Sequence, residues 1–142
     1  MLLVDTNVLV DVIDEESAWT EWSIRQLRNQ SQVHELVINP VIYAELSPAY
    51  GSEQELEVGI AGLELVFREF PRTALFLAGL AHRHYRSEGG PRHTILADFL
   101  IGAHAMVLGC GILTRDVRRY RNYFPRVPLI TPETQLAASL TV

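Results

Sequence analysis

Four of the 17 acidic residues stand out by where they fall in the chain. Asp5 follows the apolar run Leu2-Leu3-Val4, Glu45 lies in a short helical stretch, Asp98 opens an apolar helical run, and Asp116 comes just after Gly111-Ile112-Leu113-Thr114. A carboxylate at the C-terminal end of a short buried strand lies where open α/β sheets place their chemistry. In a parallel sheet Asp5 and Asp116 therefore share one edge. Gly102 and Ala105, one and two turns beyond Asp98, let that helix lie close against the sheet and bring its acid near the others. Carboxylates gathered in this way repel one another and raise each other's pKa unless a cation neutralises them, and hard oxygen ligands select Mg²⁺ or Mn²⁺. Such a centre suits phosphodiester hydrolysis by an activated water and needs no nucleophilic side chain. The sequence argues against Ser/His/Asp chemistry: no G-x-S-x-G occurs and no histidine stands beside a candidate nucleophile. Any one of these acids by itself reads as a surface residue; the joint pattern argues otherwise. Asp11 and Asp14 keep the surface reading, as the solvent face of the first helix.

The elements that must carry these residues follow from periodicity. Leu2–Val4 reads as a strand, and Val8, Leu9, Val12 and Ile13 recur at helical spacing with Asn7 as the cap. Trp19, Trp22, Ile24 and Leu27 with Arg25 and Arg28 form an amphipathic helix whose tryptophans are partial core, with a role in partner binding as the other reading. Leu36–Ile38 is a second strand. Asn39 and Pro40 then start a short helix over 41–46 that carries Glu45. Beyond the break at Pro48 and Gly51-Ser52, helical spacing resumes over 53–66, a short strand follows over 67–70, and Leu75, Leu77, Ala78, Leu80 and Ala81 mark a helix ending at a Gly89-Gly90-Pro91 loop. A helix over 97–109, a strand over 111–114 and a last strand at Leu129-Ile130 complete the chain. Strands alternating with helices make a mainly parallel sheet covered on both faces, an α/β class.

With 142 residues and 48% hydrophobic content, the chain is expected to form one domain over 1–142. The net charge of -5 argues against binding a polyanion through bulk charge and leaves room for a local basic patch. All 12 basic residues are arginine, which removes every mechanism that needs a lysine, Schiff bases and P-loops included. The single cysteine, Cys110, excludes a disulfide framework and a thiolate cluster. With an acid at position 5, no basic leader and no apolar run of spanning length, the expectation is a soluble cytoplasmic protein outside any membrane.

Leu3-Val4-Asp5-Thr6-Asn7, Glu45 after an apolar turn, Asp98-Phe99-Leu100-Ile101-Gly102-Ala103-His104-Ala105 and Leu113-Thr114-Arg115-Asp116 together resemble the motifs of PIN-domain ribonucleases, in particular the VapC toxins of toxin–antitoxin operons. The run from Arg118 to Pro125 is also similar to the family's approach to its last strand. The resemblance spans nearly the whole chain. It implies a PIN-like three-layer α/β/α sandwich and a Mg²⁺- or Mn²⁺-dependent endoribonuclease, inhibited by a VapB-type antitoxin and usually a homodimer. Carried over by position, it implies Asp5, Glu45, Asp98 and Asp116 as catalytic, metal-binding acids, with Thr6, Asn7 and Thr114 as supporting polar residues. Replacing Asp5 or Asp98 by Asn is expected to stop cleavage and leave the domain folded.

Arg115, Arg118, Arg119 and Arg121 concentrate positive charge beside Asp116 and are the candidate RNA contacts, since guanidinium groups pair with phosphates and stack on bases. Tyr120, Tyr123 and Phe124 read as core. None of His82, His84 and His104 is assigned to a metal; His93 reads as a surface residue within reach of substrate. A haloacid-dehalogenase-type phosphatase wants a second Asp where Asn7 stands and a later Lys, and a receiver domain fails for the same missing Lys. The remaining alternatives are a non-catalytic RNA- or protein-binding module on the same fold and an RNA-processing nuclease outside a toxin–antitoxin pair.

Overall fold

The computed structural model describes residues 1–90 and 96–133. In chain order the elements are β1 (Leu2–Val4), α1 (Thr6–Ile13), α2 (Thr20–Ser31), β2 (Leu36–Ile38), α3 (Pro40–Leu46), a 3₁₀ turn (Ser47–Ala49), α4 (Glu53–Gly62), β3 (Val66–Phe67), α5 (Arg72–Ser87), α6 (Leu96–Leu108), β4 (Gly111–Leu113), α7 (Arg118–Arg121) and β5 (Leu129–Ile130). The strands form one sheet in the order β3-β2-β1-β4-β5, and every pairing in it is parallel. All residues of β1 and β2 are buried. Successive strand residues point to opposite faces, so helices must cover both sides, as expected of an α/β/α sandwich. Among the described residues no helix is long and apolar enough to cross a membrane.

Helix ends follow local chemistry. Asn39 accepts from the Ile42 N–H at 3.0 Å, with Pro40 in the first turn, so α3 starts where the sequence says. The first helix differs: Asp5 is its cap and Thr6 its first residue, which frees the Asn7 side chain for other contacts. The fourth helix stops at Gly62, short of 66. Glu64 adopts φ +56°, its N–H bonds back to Ala61 at 3.0 Å and that of Leu65 to Ile60 at 3.0 Å, which is a Schellman ending built on a non-glycine residue. The sequence shows no Gly at this place, and the strand that follows is correspondingly two residues, 66–67 rather than 67–70. Gly89 and Gly109, both at positive φ, end α5 and α6 in the ordinary way.

Gly102 allows a close approach of a different kind from the one expected. A Cβ there would stand 2.3 Å from the Phe124 ring, so the glycine lets the chain after α7 pack onto α6, where Tyr85, Phe99, Tyr123 and Phe124 form an aromatic cluster. Tyr120 and Phe124 are core, as read from the sequence, and Tyr123 is half-buried.

Candidate active site

The strand order reverses between β1 and β4, whose immediate sequence neighbours in the sheet lie on opposite sides. In open parallel sheets the crevice outside the C-terminal strand ends at such a switch point is where ligands bind. Asp5 follows β1 and Thr114, Arg115 and Asp116 follow β4, so the crevice is furnished by these two segments. Asp5 is fully buried, and its own N–H extends the ladder to the Leu113 carbonyl at 2.9 Å. Its Oδ2 accepts from Tyr120 at 2.7 Å, Thr114 at 2.8 Å and Asn7 at 3.3 Å, while Oδ1 accepts from the Thr6 N–H at 2.8 Å. Three neutral donors on one oxygen hold that carboxylate in a single orientation.

Thr6, Asn7 and Thr114 knit the acids together. Thr6 Oγ1 donates to Glu45 Oε1 at 2.8 Å, which ties α3 to α1. Asn7 Nδ2 also reaches Thr114 Oγ1 at 3.2 Å, and Asn7 Oδ1 accepts from the Arg115 N–H at 3.1 Å. Thr114 Oγ1 accepts in turn from the Asp116 N–H at 3.0 Å. Thr6, Asn7, Glu45, Arg115, Asp116 and Arg119 face an open cleft of about 530 Å³.

Arg119 lies among the acids. Its Nη1 is 3.4 Å from Asp5 Oδ1, and its Nε is 3.2 Å from Asp98 Oδ1 and 3.6 Å from Asp116 Oδ2. The cation that mutual repulsion demands is thus already present as a side chain. Burial would lower the pKa of this guanidinium, and Asp5, Tyr120 and Asp98 raise it above its ordinary value instead. Burial pushes the Asp98 carboxyl up, Arg119 pulls it down, and Asp5, Glu45 and Asp116 push it up again, so the four acids form one electrostatic unit. The Tyr120 phenol is raised well above 10 by burial and by Asp5, and stays a donor at any physiological pH.

The candidate arginines divide. Arg115 makes a two-pronged pair with Asp11, Nε to Oδ2 at 2.6 Å and Nη2 to Oδ1 at 2.9 Å, and lies over the Trp19 ring at 5.6 Å from its centre. Asp11 is buried and also accepts from Ser17 and Ser23, which corrects its reading as a solvent-facing residue; Asp14 is exposed as expected. The available signal was spacing: Asn7 and Asp11 lie four apart on one helical face, and both reach Arg115. Arg118 and Arg121 are exposed. His93 and Arg92 lie outside the described residues.

A buried pair below the site sets the helix that carries Glu45. Asn39 uses its Oδ1 to cap α3, so its amide N–H faces His104 Nδ1 at 3.2 Å, and that nitrogen must accept. Protonating His104 would set two donors against each other. Burial lowers the His104 pKa, with the Glu69 backbone acting the other way. A depressed folded-state value means that the unfolded chain takes up the proton first, so this group's stabilisation is complete above about pH 6.5 and is lost as pH falls through the folded value. Denaturant unfolding at pH 7.5 and 5.5 should therefore show a loss at the lower pH that is smaller in His104→Gln; equal losses in both proteins would remove His104 as the cause.

The fold and site define an α/β protein with a carboxylate centre at the switch point of a parallel sheet. A family model described as "PIN domain" matches residues 2–125, and the chain belongs to that family. This membership supports a nuclease. A comparison with curated protein sequences finds no significant match. Solved structures similar to this chain include VapBC2 from Rickettsia felis bound to a promoter DNA fragment, at TM-score 0.70 and 16% identity over 92% of this chain and 97% of that one. VapBC-1 from nontypeable Haemophilus influenzae follows at TM-score 0.66 and 18% identity, covering 92% and 96%. FitAcB from Neisseria gonorrhoeae matches at TM-score 0.63 and 18% identity, covering 94% and 99%. The fold expected from the sequence motifs is therefore the fold found.

Proposed function

We propose that this chain is a metal-dependent endoribonuclease, the toxin of a VapBC-type pair, acting in the cytoplasm as a single PIN domain over residues 1–142. The observation that carries the reading is that one guanidinium, Arg119, reaches Asp5, Asp98 and Asp116 beside a cleft lined by Glu45 and Asp116. Among the described residues no three Asp, Glu, His or Cys side chains form a ready-made metal cage, yet the donor set suits a hard divalent ion. Asp98 Oδ1 is buried and has no hydrogen-bond partner among the described residues. Asp5 Oδ2 carries three donors, whereas Oδ1 carries one short bond and the long contact to Arg119. Asp5 Oδ1 and Asp98 Oδ1, with Asp116 and Glu45, are thus the atoms and residues that would hold Mg²⁺ or Mn²⁺. Such an ion supplies an activated water and charge stabilisation at a scissile phosphate. The chain's own part is orientation. Thr114, Tyr120 and Asn7 fix Asp5, Thr6 fixes Glu45, and Thr114 fixes the turn that carries Asp116.

Arg118 and Arg121, both exposed on α7, are the side chains proposed to take RNA phosphates. A VapB-type antitoxin as partner is supported by the VapBC complexes among the similar structures. Self-association is supported by the exposed apolar residues Leu75, Phe76 and Leu80 of α5. The direct test incubates purified chain with RNA in Mg²⁺, in Mn²⁺ and in EDTA; cleavage confined to the metal-containing reactions supports the reading, and intact RNA in all three contradicts it. Metal should also stabilise the fold, by about 2.7 kcal/mol at a hundredfold excess over the dissociation constant. A melting temperature indifferent to millimolar Mg²⁺ and Mn²⁺ would count against the metal centre.

A further inference from the structure

We propose that Arg119 is a displaceable internal counter-ion, which competes with the divalent cation for the same carboxylates and is released toward the cleft when the cation binds. The inference rests on the metal-dependent reading above and concerns what the chain does before metal arrives. Three observations carry it. First, Arg119 is the group that spans the acids, reaching Asp5, Asp98 and Asp116 from one guanidinium. It contacts Asp98 Oδ1, which has no hydrogen-bond partner among the described residues, and Asp5 Oδ1, which also accepts from the Thr6 N–H.

Second, the grip is loose. The contacts run from 3.2 to 3.6 Å, and only the one to Asp5, at 3.4 Å, has hydrogen-bond geometry. Charge-assisted N–H···O bonds close to about 2.7–2.9 Å when they are well made. The Arg115–Asp11 pair, at 2.6 and 2.9 Å, shows what a locked guanidinium looks like in the same protein. Third, Arg119 has somewhere to go. Its side chain is 25% exposed and lines the open cleft, whereas its neighbour Tyr120 is fully buried and anchors α7 beneath it. The backbone can stay in place while the long side chain turns out.

A guanidinium and a divalent ion cannot share these oxygens without strong like-charge repulsion, and a dication neutralises the acids better than a single positive charge. The acids therefore have a partial counter-charge at every stage: Arg119 offsets part of their repulsion before metal arrives, and metal entry sets free a cation beside the cleft, where a phosphodiester would approach. The cost is a weaker affinity for metal than the acids alone would give, because each binding event must first break the Arg119 contacts.

Titration with Mn²⁺ in the absence of RNA tests this on the full chain. Arg119→Ala and the longer Arg119→Gln should each bind Mn²⁺ about tenfold more tightly than the parent, a coupling of ordinary size between two competing ligands. Arg119→Gln serves where Arg119→Ala fails to fold. A second readout uses the parent protein: the Arg119 side-chain Nε–H resonance should shift on adding diamagnetic Mg²⁺, in step with saturation. Unchanged or weaker Mn²⁺ binding in the variants, or an Nε–H signal indifferent to Mg²⁺, would overturn the competition while leaving the metal centre intact. No Mn²⁺ binding by the parent or either variant would overturn the metal-dependent reading itself, and the inference with it.

Discussion

An Asp98→Asn chain should keep its fold and lose metal-dependent RNA cleavage by about a hundred- to a thousandfold, the scale on which removal of one preorganised electrostatic group acts. Asp98 contributes little to stability as it stands. Its Oδ1 has no hydrogen bond among the described residues, burial and three neighbouring acids push its carboxyl up, and its opposing contact is the loose one to Arg119. A neutral amide removes repulsion from Asp5, Glu45 and Asp116 while keeping the shape, so the melting temperature should hold or rise. Asp5→Asn is a poorer probe, contrary to what the sequence suggests. Its carboxylate accepts from Thr6, Asn7, Thr114 and Tyr120, and an amide would turn N–H groups onto these donors, at about 1–3 kcal/mol for a buried group left unsatisfied. Single-turnover cleavage alongside thermal melting separates the two variants. Asp98→Asn cutting RNA at the parent rate would remove this residue from the chemistry.

The acids were legible because their positions are set by backbone periodicity. A strand of three apolar residues has one C-terminal end, and the parallel sheet brings the ends of β1 and β4 to the same edge whatever the side chains do afterwards. Glu45 and Asp98 were read from helix starts, Asn39-Pro40 for the first and the apolar run after residue 96 for the second. What periodicity cannot read is which polar groups pair across the chain. Asp11 has the look of a solvent-facing helix residue until Arg115, 104 positions away, is folded over it. Arg119 had the look of a substrate contact like Arg118 and Arg121, yet it is the one of the three whose position turns it inward over the acids. Tyr120 was read as core, which it is, but its hydroxyl is also the shortest donor to Asp5. The end of α4 failed for a local reason, since the left-handed residue there is Glu64, and a non-glycine residue in that conformation carries no signal in the sequence pattern.

Arg115→Ala should be the most destabilising single change in the site, at about 3–5 kcal/mol, because it strands a buried carboxylate. The Asp11 side chain is 3% exposed, whereas that of Arg115 is 28% exposed, so the two partners do not lose equally. Without Arg115, Asp11 keeps the Ser17 and Ser23 hydroxyls, at 2.9 and 2.7 Å, and no cation; without Asp11, the arginine can turn toward the cleft and solvent. Asp11→Ala should accordingly cost less than Arg115→Ala, and the double variant less than the sum of the two, since the second change removes a charge that the first left unpaired. For a chain of this length the larger loss corresponds to a fall on the order of 10 °C in melting temperature. The same geometry sets Arg115 apart from Arg118 and Arg121, the proposed RNA contacts. A guanidinium with Nε and Nη2 committed to Asp11 and one face over Trp19 has its orientation set by the protein rather than by a phosphate. Arg115→Ala, in an Asp98→Asn background that cannot cleave, should leave the salt dependence of RNA binding at the parent slope, whereas Arg118→Ala or Arg121→Ala should lower that slope by about one unit on logarithmic axes. An Arg115→Ala protein that melts with the parent and binds RNA with a shallower salt dependence would reverse this assignment and make Arg115 a substrate residue.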